Sequence, residues 1–427
     1  MIKILHITTH MGGGVGHAIS DLVLEEDEYQ HRVLLLQRPE KTNYIDKCKD
    51  AGVIFYEEPP IEDFEEIIRE ADVVILHWWH HPVMCQFLYN FPKIPVRLVL
   101  WSHISGCSYP SLSYPFVDKF NRVFFTSSYS IENKEWTKEE RCLIESKSQV
   151  VYGMGKLSFM HPKNDYDTKH DVIKIGYTGT LTKSKIHPEF PDICDKILQN
   201  IPNAEFYLLG DAESGEWIKE RAQELNIVHK IHLEGYVKNV NTWLQEFDIF
   251  GYPLNSYHFG TTENSILEAM AVGVPVVLMN QATEKYIITQ NEDGILCDGI
   301  EEYVNAIVRL AKDKTLRENL GNNAKKNVFK KFSFQINIYH FQNEINKIVE
   351  ITPRVVDFVD VIGEKPYSWF LSAVNRKDKQ FLEEHQWCNL SPIFYEKSKS
   401  SIFHFGSTYP EDNMLTKYMS ELEKYLC

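Results

Sequence analysis

The N-terminal third of the chain alternates short apolar runs with longer polar stretches. Runs rich in Val, Ile and Leu occupy residues 2–8, 31–37, 53–56, 73–77, 97–102, 123–127 and 148–152. Continuous apolar runs of this length are typical of parallel strands that are buried on both faces of a sheet. Residues 15–24 and 62–70, which lie between these runs, have the apolar spacing of amphipathic helices. The alternation predicts a doubly wound α/β domain.

The same pattern restarts after a predicted domain junction at about residues 153–171, of which residues 162–171 are polar and have no periodicity. Further strands are predicted at residues 173–177, 205–209, 231–234, 249–252 and 275–279. Further helices are predicted at residues 190–199, 216–225, 240–246, 301–312 and 316–329. We therefore expect two Rossmann-like domains, at residues 1–155 and 156–350, and a C-terminal extension at residues 351–427.

The composition of the chain argues against several classes of protein. A net charge of −15 over 427 residues argues against broad nucleic-acid binding, which needs clustered Lys and Arg. The eight cysteines form no C-x-x-C pair, so neither a zinc site nor a disulfide framework is predicted. The N-terminus leads directly into a strand, and no apolar run approaches the roughly 20 residues of a membrane span. We expect a cytoplasmic protein that touches the inner face of a membrane, if at all, only peripherally.

Candidate chemistry concentrates in residues 259–277, where the pattern predicts a loop, a helix of about three turns, a Gly-Val-Pro turn and a strand. Thr261 or Thr262 is the candidate N-cap, since a Thr oxygen accepts hydrogen bonds from the first-turn N–H groups. The start of such a helix attracts anions, because its free N–H groups and its dipole both favour negative charge. Glu268 lies inside the helix, where a carboxylate has no local structural task.

The run Leu-Glu-Ala-Met-Ala-Val-Gly-Val-Pro-Val-Val at residues 267–277 resembles the nucleotide-sugar-binding segment of the retaining glycosyltransferase family 4. The resemblance implies an α/β GT-B fold, in which two Rossmann-like domains with doubly wound parallel sheets face each other across a cleft. It further implies that the C-terminal domain binds a nucleotide diphosphate sugar of UDP or GDP type, and that the N-terminal domain binds the acceptor. This donor is a substrate, and the family uses neither a cofactor nor a metal.

The resemblance assigns roles within the donor loop. Glu268 matches the glutamate that binds the ribose hydroxyls in the family. The family has a second glutamate eight residues earlier, which contacts the donor sugar, and Gly260 occupies that position here. Glu263 lies one helical turn later and is the candidate substitute, with a solvated carboxylate as the alternative. The other donor-binding residues predicted in this loop are Thr261, Thr262 and Asn264.

A second loop, at residues 176–185, matches the place where the family has Gly-Arg-Leu followed by a lysine. Thr180 stands in place of the arginine. Lys185 is the best match to the lysine that neutralises the diphosphate leaving group, and Lys183 is a second candidate; the alternative for both is a solvated surface charge. Tyr236 falls in the segment that lies near the base in the family. The donor contacts predicted from these two segments are Gly179, Thr180, Lys183, Lys185 and Tyr236.

Two features of the N-terminal domain are candidates for contact with the reacting sugar. A glycine-rich turn after the first strand lets a backbone approach a phosphate and frees N–H donors, although a tight turn without a ligand is the alternative. His103 follows the carboxyl end of a strand, where open α/β sheets bind ligands. It is similar to a family histidine that faces the donor sugar, and a structural histidine is the alternative. The predicted residues of the turn are Gly12, Gly13, Gly14 and Gly16, with Gly13, Gly14, His103 and Glu263 at the reacting centre.

A further strand end is followed by His-Trp-Trp-His-His at residues 77–81. Three histidines this close together raise the question of a metal, but neighbouring residues of an extended chain point to opposite faces, and no carboxylate accompanies them. We prefer packing as the interpretation, with an aromatic wall beside a sugar or an acceptor as the second, and we predict no metal site.

Together these features predict a metal-independent, retaining glycosyltransferase of the hexosyltransferase type. The expected acceptor is the hydroxyl of a glycan, a lipid-linked molecule or a small molecule, and the family resemblance favours polysaccharide or glycoconjugate assembly. Two alternatives stay open at this point. One is a catalytically weak GT-B protein used for binding or assembly, which the missing arginine and glutamate would suit, and the other is a GT-B nucleotide-sugar 2-epimerase.

The extension at residues 351–427 is rich in Phe, Tyr and Trp, which favours a packed segment over a disordered one. We expect it either to brace the two domains or to shape an acceptor surface. Its candidate packing residues are Trp369, Trp387, Phe394 and Tyr395.

Overall fold

Parallel strands of the chain assemble into two separate sheets, one in each of two compact units. The computed structural model describes residues 1–39, 41–163, 172–258, 260–397 and 400–425, so that part of the predicted junction, residues 164–171, lies outside the described residues. The first unit comprises the described residues of Met1–Gly155, Phe259–Thr262 and Gln335–Cys427. The second comprises those of Lys156–His258 and Glu263–Phe334.

The main sheet of the first unit has the strand order β3-β2-β1-β4-β6-β7-β8, and all its neighbouring strands are parallel. The strands of this unit are β1 (Lys3–Thr8), β2 (Gln30–Leu35), β3 (Ile54–Glu57), β4 (Val73–Trp78), β5 (Pro95–Val96), β6 (Leu98–Ser102), β7 (Arg122–Phe125) and β8 (Ser148–Val150). Every side chain of the central strands β4 and β6 is buried. Burial on both faces explains why their sequences are continuous apolar runs.

Within the described residues, six helices connect these strands. They are α1 (Gly13–Glu25), α2 (Asn43–Asp50), α3 (Phe64–Arg69), α4 (Pro82–Tyr89), α5 (Tyr114–Asp118) and α6 (Lys138–Ser146). The sequence analysis predicted only α1 and α3. The four missed helices have only five to nine residues each, and two of them, α4 and α6, have a side-chain N-cap. In α6, Thr137 and Glu140 form a reciprocal capping box.

The sheet of the second unit has the order β11-β10-β9-β12-β13-β14 and is also parallel throughout. Its strands are β9 (Ile173–Thr178), β10 (Ala204–Leu209), β11 (Ile231–Gly235), β12 (Ile249–Tyr252), β13 (Val276–Met279) and β14 (Ile295–Cys297). Its helices are α7 (Phe190–Asn200), α8 (Glu216–Glu224), α9 (Val240–Glu246), α10 (Asn264–Val272), α11 (Glu284–Ile287), α12 (Ile300–Lys312) and α13 (Lys314–Lys331). The strand order reverses between β9 and β12, which is the position where doubly wound sheets bind ligands.

The long helix α14 (Phe334–Val349) packs on the sheet of the first unit. Its side chains Phe341, Ile345 and Ile348 are fully buried against a cluster that contains Ile75 and Trp101 of the central strands. The sequence-based boundary at residue 350 assigned this helix to the second domain. Its apolar stripe instead covers one face of the first sheet, which is why the structure groups residues from Gln335 onward with the first unit.

The C-terminal extension continues the hydrophobic core of the first unit. The short strand β15 (Arg354–Val355) pairs antiparallel with β5. In the described residues of the extension, five helices follow: α15 (Val359–Ile362), α16 (Pro366–Leu371), α17 (Arg376–Glu383), α18 (Ile402–Thr408) and α19 (Asn413–Glu423). Of the predicted packing residues, Trp369, Trp387 and Phe394 are buried in one core cluster with β4 and α4, and Tyr395 is half-buried against it. Within the described ranges, none of the helices combines the length and the apolar character that a bilayer crossing requires.

We expect Phe370→Ala to destabilise the first unit by about 3–5 kcal/mol, the usual cost of removing a large buried aromatic side chain. Phe370 is fully buried on α16, where its ring lies 5.9 Å from that of Tyr109 and 5.7 Å from that of Phe405. Urea unfolding of the full chain measures the loss. The matched control is Tyr339→Ala on α14, whose side chain is 61% exposed and whose removal should leave the unfolding midpoint nearly unchanged. Equal effects of the two variants would contradict a structural role for the extension.

Candidate functional site

The loops that follow β9 and β12 are joined at the point where the strand order of the second unit reverses. The Asn255 side chain donates to the carbonyl of Lys183 at 2.8 Å, and the Asn255 backbone N–H donates to the carbonyl of Lys185 at the same distance. Ile186 and Leu254 form an antiparallel bridge one residue further on. These contacts fix the backbone of the loop that carries Lys185, so its side chain begins from a defined position.

Lys185, on the loop after β9, forms a buried ion pair with Glu263, the residue just before α10. The Lys185 Nζ lies 2.6 Å from Glu263 Oε1, and the Tyr252 hydroxyl donates to Glu263 Oε2 at 3.0 Å. The ring of Tyr177 stacks on that of Tyr252 with centroids 4.9 Å apart. Burial opposes ionisation of Glu263, but the charges of Lys185 and His258 outweigh it and lower the pKa of the carboxyl group. Buried carboxyl groups whose pKa is shifted by a specific charged partner are a common feature of functional sites.

The backbone of Glu263 is held in the left-handed conformation, with φ +48° and ψ +63°, immediately before α10. A non-glycine residue in this region stores strain of about 1–3 kcal/mol, which the surrounding structure must offset. The predicted Thr cap is wrong, because Glu263 occupies the N-cap position and no side chain caps the helix. The Thr262 hydroxyl instead accepts from the Gly153 N–H and donates to the Thr126 carbonyl, both at 3.1 Å.

His258 and Glu284 complete the buried cluster around Glu263. The His258 Nε2 lies 2.8 Å from Glu284 Oε1, and its Nδ1 lies 3.7 Å from Glu263 Oε1. One ligand atom from each of the three residues falls within 4.8 Å of the others, so this is the group that could hold a cation among the described residues. The sequence analysis missed His258, Glu284 and the role of Tyr252, since none of the three belongs to a recognisable motif.

Glu268 is half-buried on α10, between the fully buried neighbours Leu267 and Ala269. Asn264 forms the first residue of the same helix and is also half-buried. Both carry polar side chains on a helix whose other face is packed in the core. The structure therefore places the two predicted donor contacts on the accessible side of α10, after the strained Glu263.

The remaining predicted contacts of the second unit lie on the loops after β9 and β11. The Tyr177 hydroxyl donates to the Thr180 carbonyl at 2.9 Å. The exposed Lys183 lies with its Nζ 5.6 Å from the ring centre of Trp217, so only one of the two lysines takes part in the buried ion pair. The Tyr236 side chain is 76% exposed directly after β11. Gly179 has φ +154°, and a Cβ there would lie 3.3 Å from the Tyr252 hydroxyl.

In the first unit, the glycine-rich turn connects β1 to α1. Gly12 is the N-cap of α1, and its N–H donates to His10 Nδ1 at 3.1 Å. Gly13 has φ +61°, and Gly14 follows it in the first turn. A Cβ on Gly16 would lie 2.0 Å from the Met11 carbonyl oxygen, so only glycine fits at that position. The turn thus leaves backbone N–H groups at the helix start, as the sequence predicts.

His103 follows β6 and is half-buried, in the position that the sequence predicts for it. The backbone N–H of His103 donates to the Trp78 carbonyl at 2.8 Å, and its ring atom Nε2 lies 2.9 Å from His77 Nδ1. The ring stacks between neighbours, with centroids 5.1 Å from His77 and 5.5 Å from Trp101. Desolvation lowers the pKa of His103 to about 3, so the imidazole is neutral at pH 7.

The residues at 77–81 separate into different environments. His80 is buried beside Phe405 of the extension, whereas His81 caps α4 by accepting from the Val83 N–H. His81 also lies edge-on to His404 of α18 with ring centroids 4.6 Å apart, and 5.9 Å from His10. The half-buried Trp79 lies 5.3 Å from His10. The extension thus adds His404 to a group of aromatic and imidazole rings after β1 and β4, which no sequence pattern indicated. We refer to His10, Trp79, His81 and His404 as the ring cluster.

Comparison with known proteins gives the context for this geometry. Residues 162–327 match the family model described as Glycosyl transferases group 1. Over 174 residues, the chain is 28% identical to the capsular polysaccharide biosynthesis glycosyltransferase CapM of Staphylococcus aureus, a match that covers 39% of this chain and 44% of CapM. The chain spans about half the length of the curated relatives it matches.

Solved structures match over a larger part of the chain. The structure of HepE from Anabaena in complex with UDP-glucose has a TM-score of 0.64 and 15% identity, covering 82% of this chain and 100% of HepE. A glycosyltransferase structure from Rickettsia africae has a TM-score of 0.67 and 16% identity, covering 82% and 99% of the two chains. At these identities the likeness establishes the fold, and it confirms the predicted GT-B class with parallel sheets of seven and six strands.

Proposed function

We propose that this chain transfers a sugar from a nucleotide diphosphate sugar to a hydroxyl acceptor with retention of configuration, since residues 162–327 match the family model of group 1 glycosyltransferases. The observation that carries the proposal is the buried pair of Lys185 and Glu263, directly before the start of α10. A cation, a carboxylate and a helix N-terminus in one place match the three chemical groups of the donor: its diphosphate, its sugar hydroxyls and its leaving-group charge.

In this proposal the leaving diphosphate is stabilised by Lys185 and by the first turn of α10. Transition-state charge develops on the phosphate oxygens as the glycosidic bond breaks, and preorganised donors lower the barrier most effectively there. The N–H groups of the first turn carry no side-chain cap and have the partial positive charge of a helix start. Positive charge at the leaving group therefore comes from the protein, and we propose a metal-independent reaction.

Glu263 takes the role of the family glutamate that is missing at Gly260. An ionised carboxylate accepts hydrogen bonds only, so it suits the hydroxyl groups of a sugar. Tyr252 and Lys185 fix its two oxygens from one side, and the left-handed backbone sets the direction of its side chain. Thr180, which replaces the family arginine, contributes no charge, and Lys185 is then the principal cation of the site.

We assign the binding of the nucleoside to α10 as well, at Glu268 rather than at the helix start. We propose that Glu268 binds the ribose hydroxyls and that the exposed Tyr236 contacts the base, with Gly179, Thr261, Thr262 and Asn264 in the donor-binding loops. A UDP sugar is the first candidate, since HepE, which shares the fold, was solved with UDP-glucose.

The acceptor is assigned to the first unit, at the carboxyl ends of its strands. There the glycine turn at Gly12–Gly16, His103 and the ring cluster supply N–H donors, imidazole nitrogens and an aromatic surface, which together suit a hydroxylated sugar. The name of CapM supports a setting in capsular or related polysaccharide assembly. We place that reaction in the cytoplasm, at most in peripheral contact with the inner membrane face.

Thermal-shift measurements with UDP, GDP, ADP and TDP, and with their common sugar conjugates, test the donor assignment. We expect one nucleotide series to stabilise the protein, by roughly 2.7 kcal/mol at 100 times its Kd. In Glu268→Gln the same ligands should bind about 10–100-fold more weakly, since hydrogen bonds to a charged group contribute about 1.5–3 kcal/mol. The matched control is Glu220→Gln, an exposed residue of α8 that should bind like the wild type.

Product analysis separates the proposed reaction from its two alternatives. A new glycoside with the anomeric configuration of the donor supports retaining transfer. A free epimer of the donor sugar would identify a 2-epimerase instead. Binding without turnover for every donor and acceptor would favour a protein used for binding or assembly, in which case the replacements at Thr180 and Gly260 explain the lost activity.

A further inference from the structure

A row of four histidines crosses the sheet of the first unit. His31 lies on β2, His6 on β1 and His77 on β4, and His103 follows β6, so each histidine is on the next strand of the sheet. The facing ring nitrogens are 2.9 Å apart at all three steps. At the far end, Glu26 Oε2 lies 2.8 Å from His31 Nε2. We call these five residues the histidine row.

Strand register explains how residues so distant in sequence come into contact. Side chains two residues apart on a strand point to the same face of the sheet. Each histidine lies opposite a residue that precedes the next histidine by two positions, in the pairs His31–Ile4, His6–Ile75 and His77–Trp101. The row therefore runs diagonally across one face of the sheet.

Burying the histidine row costs desolvation free energy, and the fold of the sheet does not require histidines at these positions. His6 and His77 are fully buried in strands whose other residues are mostly Val, Ile and Leu. An apolar residue at either position would avoid the free energy of desolvating an imidazole, which is offset only when both ring nitrogens are hydrogen-bonded. The row satisfies that condition for His6, His31 and His77, and so it forms one continuous chain of hydrogen bonds.

Glu26, at one end of the histidine row, sets the direction in which the hydrogen bonds of the row run. Glu26 also accepts from the backbone N–H groups of Glu28 and Tyr29 and from the side chain of Gln342. Burial raises the pKa of its carboxyl group, but the hydrogen bonds from His31 and Gln342 outweigh burial and lower it. An ionised carboxylate can only accept, so the hydrogen between Glu26 and His31 is on His31 Nε2. With one proton on the ring, His31 Nδ1 is an acceptor.

The donor and acceptor nitrogens of the other three histidines follow from those of His31. His6 donates from Nε2 to His31 Nδ1, His77 donates from Nε2 to His6 Nδ1, and His103 donates from Nε2 to His77 Nδ1. Burial lowers the pKa values of His6, His77 and His103, which keeps these three rings neutral. At the end of the row, His103 Nδ1 is left without a proton. A Cβ on Gly153 would lie 3.2 Å from this nitrogen, so the glycine preserves the space around it.

We propose that Glu26 is a positioning residue that fixes the tautomer of His103 through His31, His6 and His77, so that His103 Nδ1 is a hydrogen-bond acceptor for a substrate hydroxyl. This inference rests on the proposed function, which assigns His103 to the binding of the hydroxylated acceptor. It adds a rule of specificity. The substrate group that meets His103 must donate a hydrogen bond, so a hydroxyl binds there, whereas a methyl ether or a fluorine at the same position does not.

Long-range ¹H–¹⁵N NMR of the ligand-free, histidine-labelled full chain tests the tautomer directly, because protonated and unprotonated ring nitrogens have well-separated shifts. We expect His6, His31, His77 and His103 each to be protonated at Nε2 only, with His103 assigned through the missing signals of His103→Gln. A His103 that is protonated at Nδ1, or that exchanges evenly between the two tautomers, would overturn the proposal without any variant of Glu26.

The variant Glu26→Gln tests the cause. A Gln side chain offers both an oxygen and an NH₂ group to His31, so it no longer dictates the direction of the row. We expect the Nδ1-protonated form of His103 to appear, and kcat to fall about tenfold with KM within about twofold, as for a group that acts on the transition state. The matched control, Glu28→Gln, changes an exposed carboxylate two residues away and should alter neither quantity.

The two measurements separate this inference from the reaction it rests on. A Glu26→Gln variant in which His103 keeps its tautomer, or shifts its tautomer while kcat is unchanged, would overturn Glu26 as a positioning residue and leave glycosyl transfer untouched. Failure of the wild type to bind or turn over any nucleotide sugar would instead defeat the proposed function, while the tautomer, measured without a donor, would still report on the histidine row.

Discussion

Replacing Lys185 with methionine is expected to lower kcat/KM by about 10²–10³-fold and to destabilise the second unit by about 3–5 kcal/mol. The first effect follows from losing the cation proposed to stabilise the leaving diphosphate. The second follows from the structure alone, since the Lys185 ammonium lies 2.6 Å from the buried carboxylate of Glu263. Without it, no other lysine or arginine in the described part of the chain forms an ion pair with the buried Glu263. Steady-state kinetics and urea unfolding measure the two effects separately.

Two further variants make this prediction specific. Lys183→Met removes the exposed neighbour that stacks on Trp217, and we expect a change in stability of less than about 1 kcal/mol. The double variant Lys185→Met with Glu263→Gln removes both charges, so most of the stability should return while activity stays low. If the double variant recovered activity as well, the ion pair would be a structural feature, and Lys185 would have no part in leaving-group stabilisation.

Mild acid is expected to unfold the first unit well before the second. Burial, as the largest cause in each case, lowers the pKa of His80 to about 3, of His81 to about 2, of His103 to about 3 and of His404 to about 4. Their unfolded value is near 6.5, so below that pH the unfolded state binds more protons than the native state. The stability they contribute is therefore complete above pH 6.5 and is lost as the pH falls toward the native values.

The size of this effect is large compared with the stability of a domain. His6 and His77 of the same unit also have pKa values lowered well below 6.5, with burial as the largest cause. Each of these six histidines costs about 1 kcal/mol between pH 6.5 and pH 5.5, so the first unit should lose about 6 kcal/mol over that interval. At about 2–4 °C per kcal/mol, its calorimetric Tm should fall by roughly 12–24 °C. In the second unit Glu263 has a lowered pKa, and the stability linked to it is lost only below its unfolded value of 4.5. The transition of the second unit should therefore shift much less.

Calorimetry of His404→Gln at pH 7.5, 6.5 and 5.5 tests the cause of the acid sensitivity. Removing one of the six histidines should reduce the loss between pH 6.5 and pH 5.5 by about a sixth, or about 1 kcal/mol. The control is His385→Asn, an exposed residue of the same extension whose replacement should leave the pH dependence as in the wild type. A pH-independent Tm for the first unit would contradict the assignment of these histidines as neutral, buried groups.

The two sheets were predictable because burial on both faces leaves a direct mark in the sequence. Strands such as β4 and β6 are continuous apolar runs, and their order follows from the alternation with helices. Short polar helices such as α2 and α6 have no long apolar period in their sequences. Residues in their first and last turns and contacts with neighbouring elements stabilise them. The helix α14 has a clear apolar stripe, but a stripe does not state which of two sheets it will cover.

The candidate site was predictable only where its residues belong to a contiguous run. Lys185, Glu263 and Glu268 all lie in segments that resemble a family, and the structure brings the first two together. His258 and Glu284 are separated by 26 positions and meet only because β12 and the helix α11 are brought together by the fold. The histidine row depends on the register of four strands, and no local pattern contains that information.

The packing of residues 335–422 on the first sheet has a consequence for how the chain folds during synthesis. The core of the first unit includes Leu5 near one end of the chain and Leu422 near the other, whereas the second unit is drawn almost entirely from residues 156–334. A ribosome releases the N-terminal strands first, yet α14, which covers one face of their sheet, begins 334 − 150 = 184 residues after the end of β8. The internal unit can therefore complete its fold earlier than the first unit. During that interval the apolar face of β1, β4 and β6 that α14 covers in the native structure is exposed, and exposed apolar surface of this kind promotes aggregation.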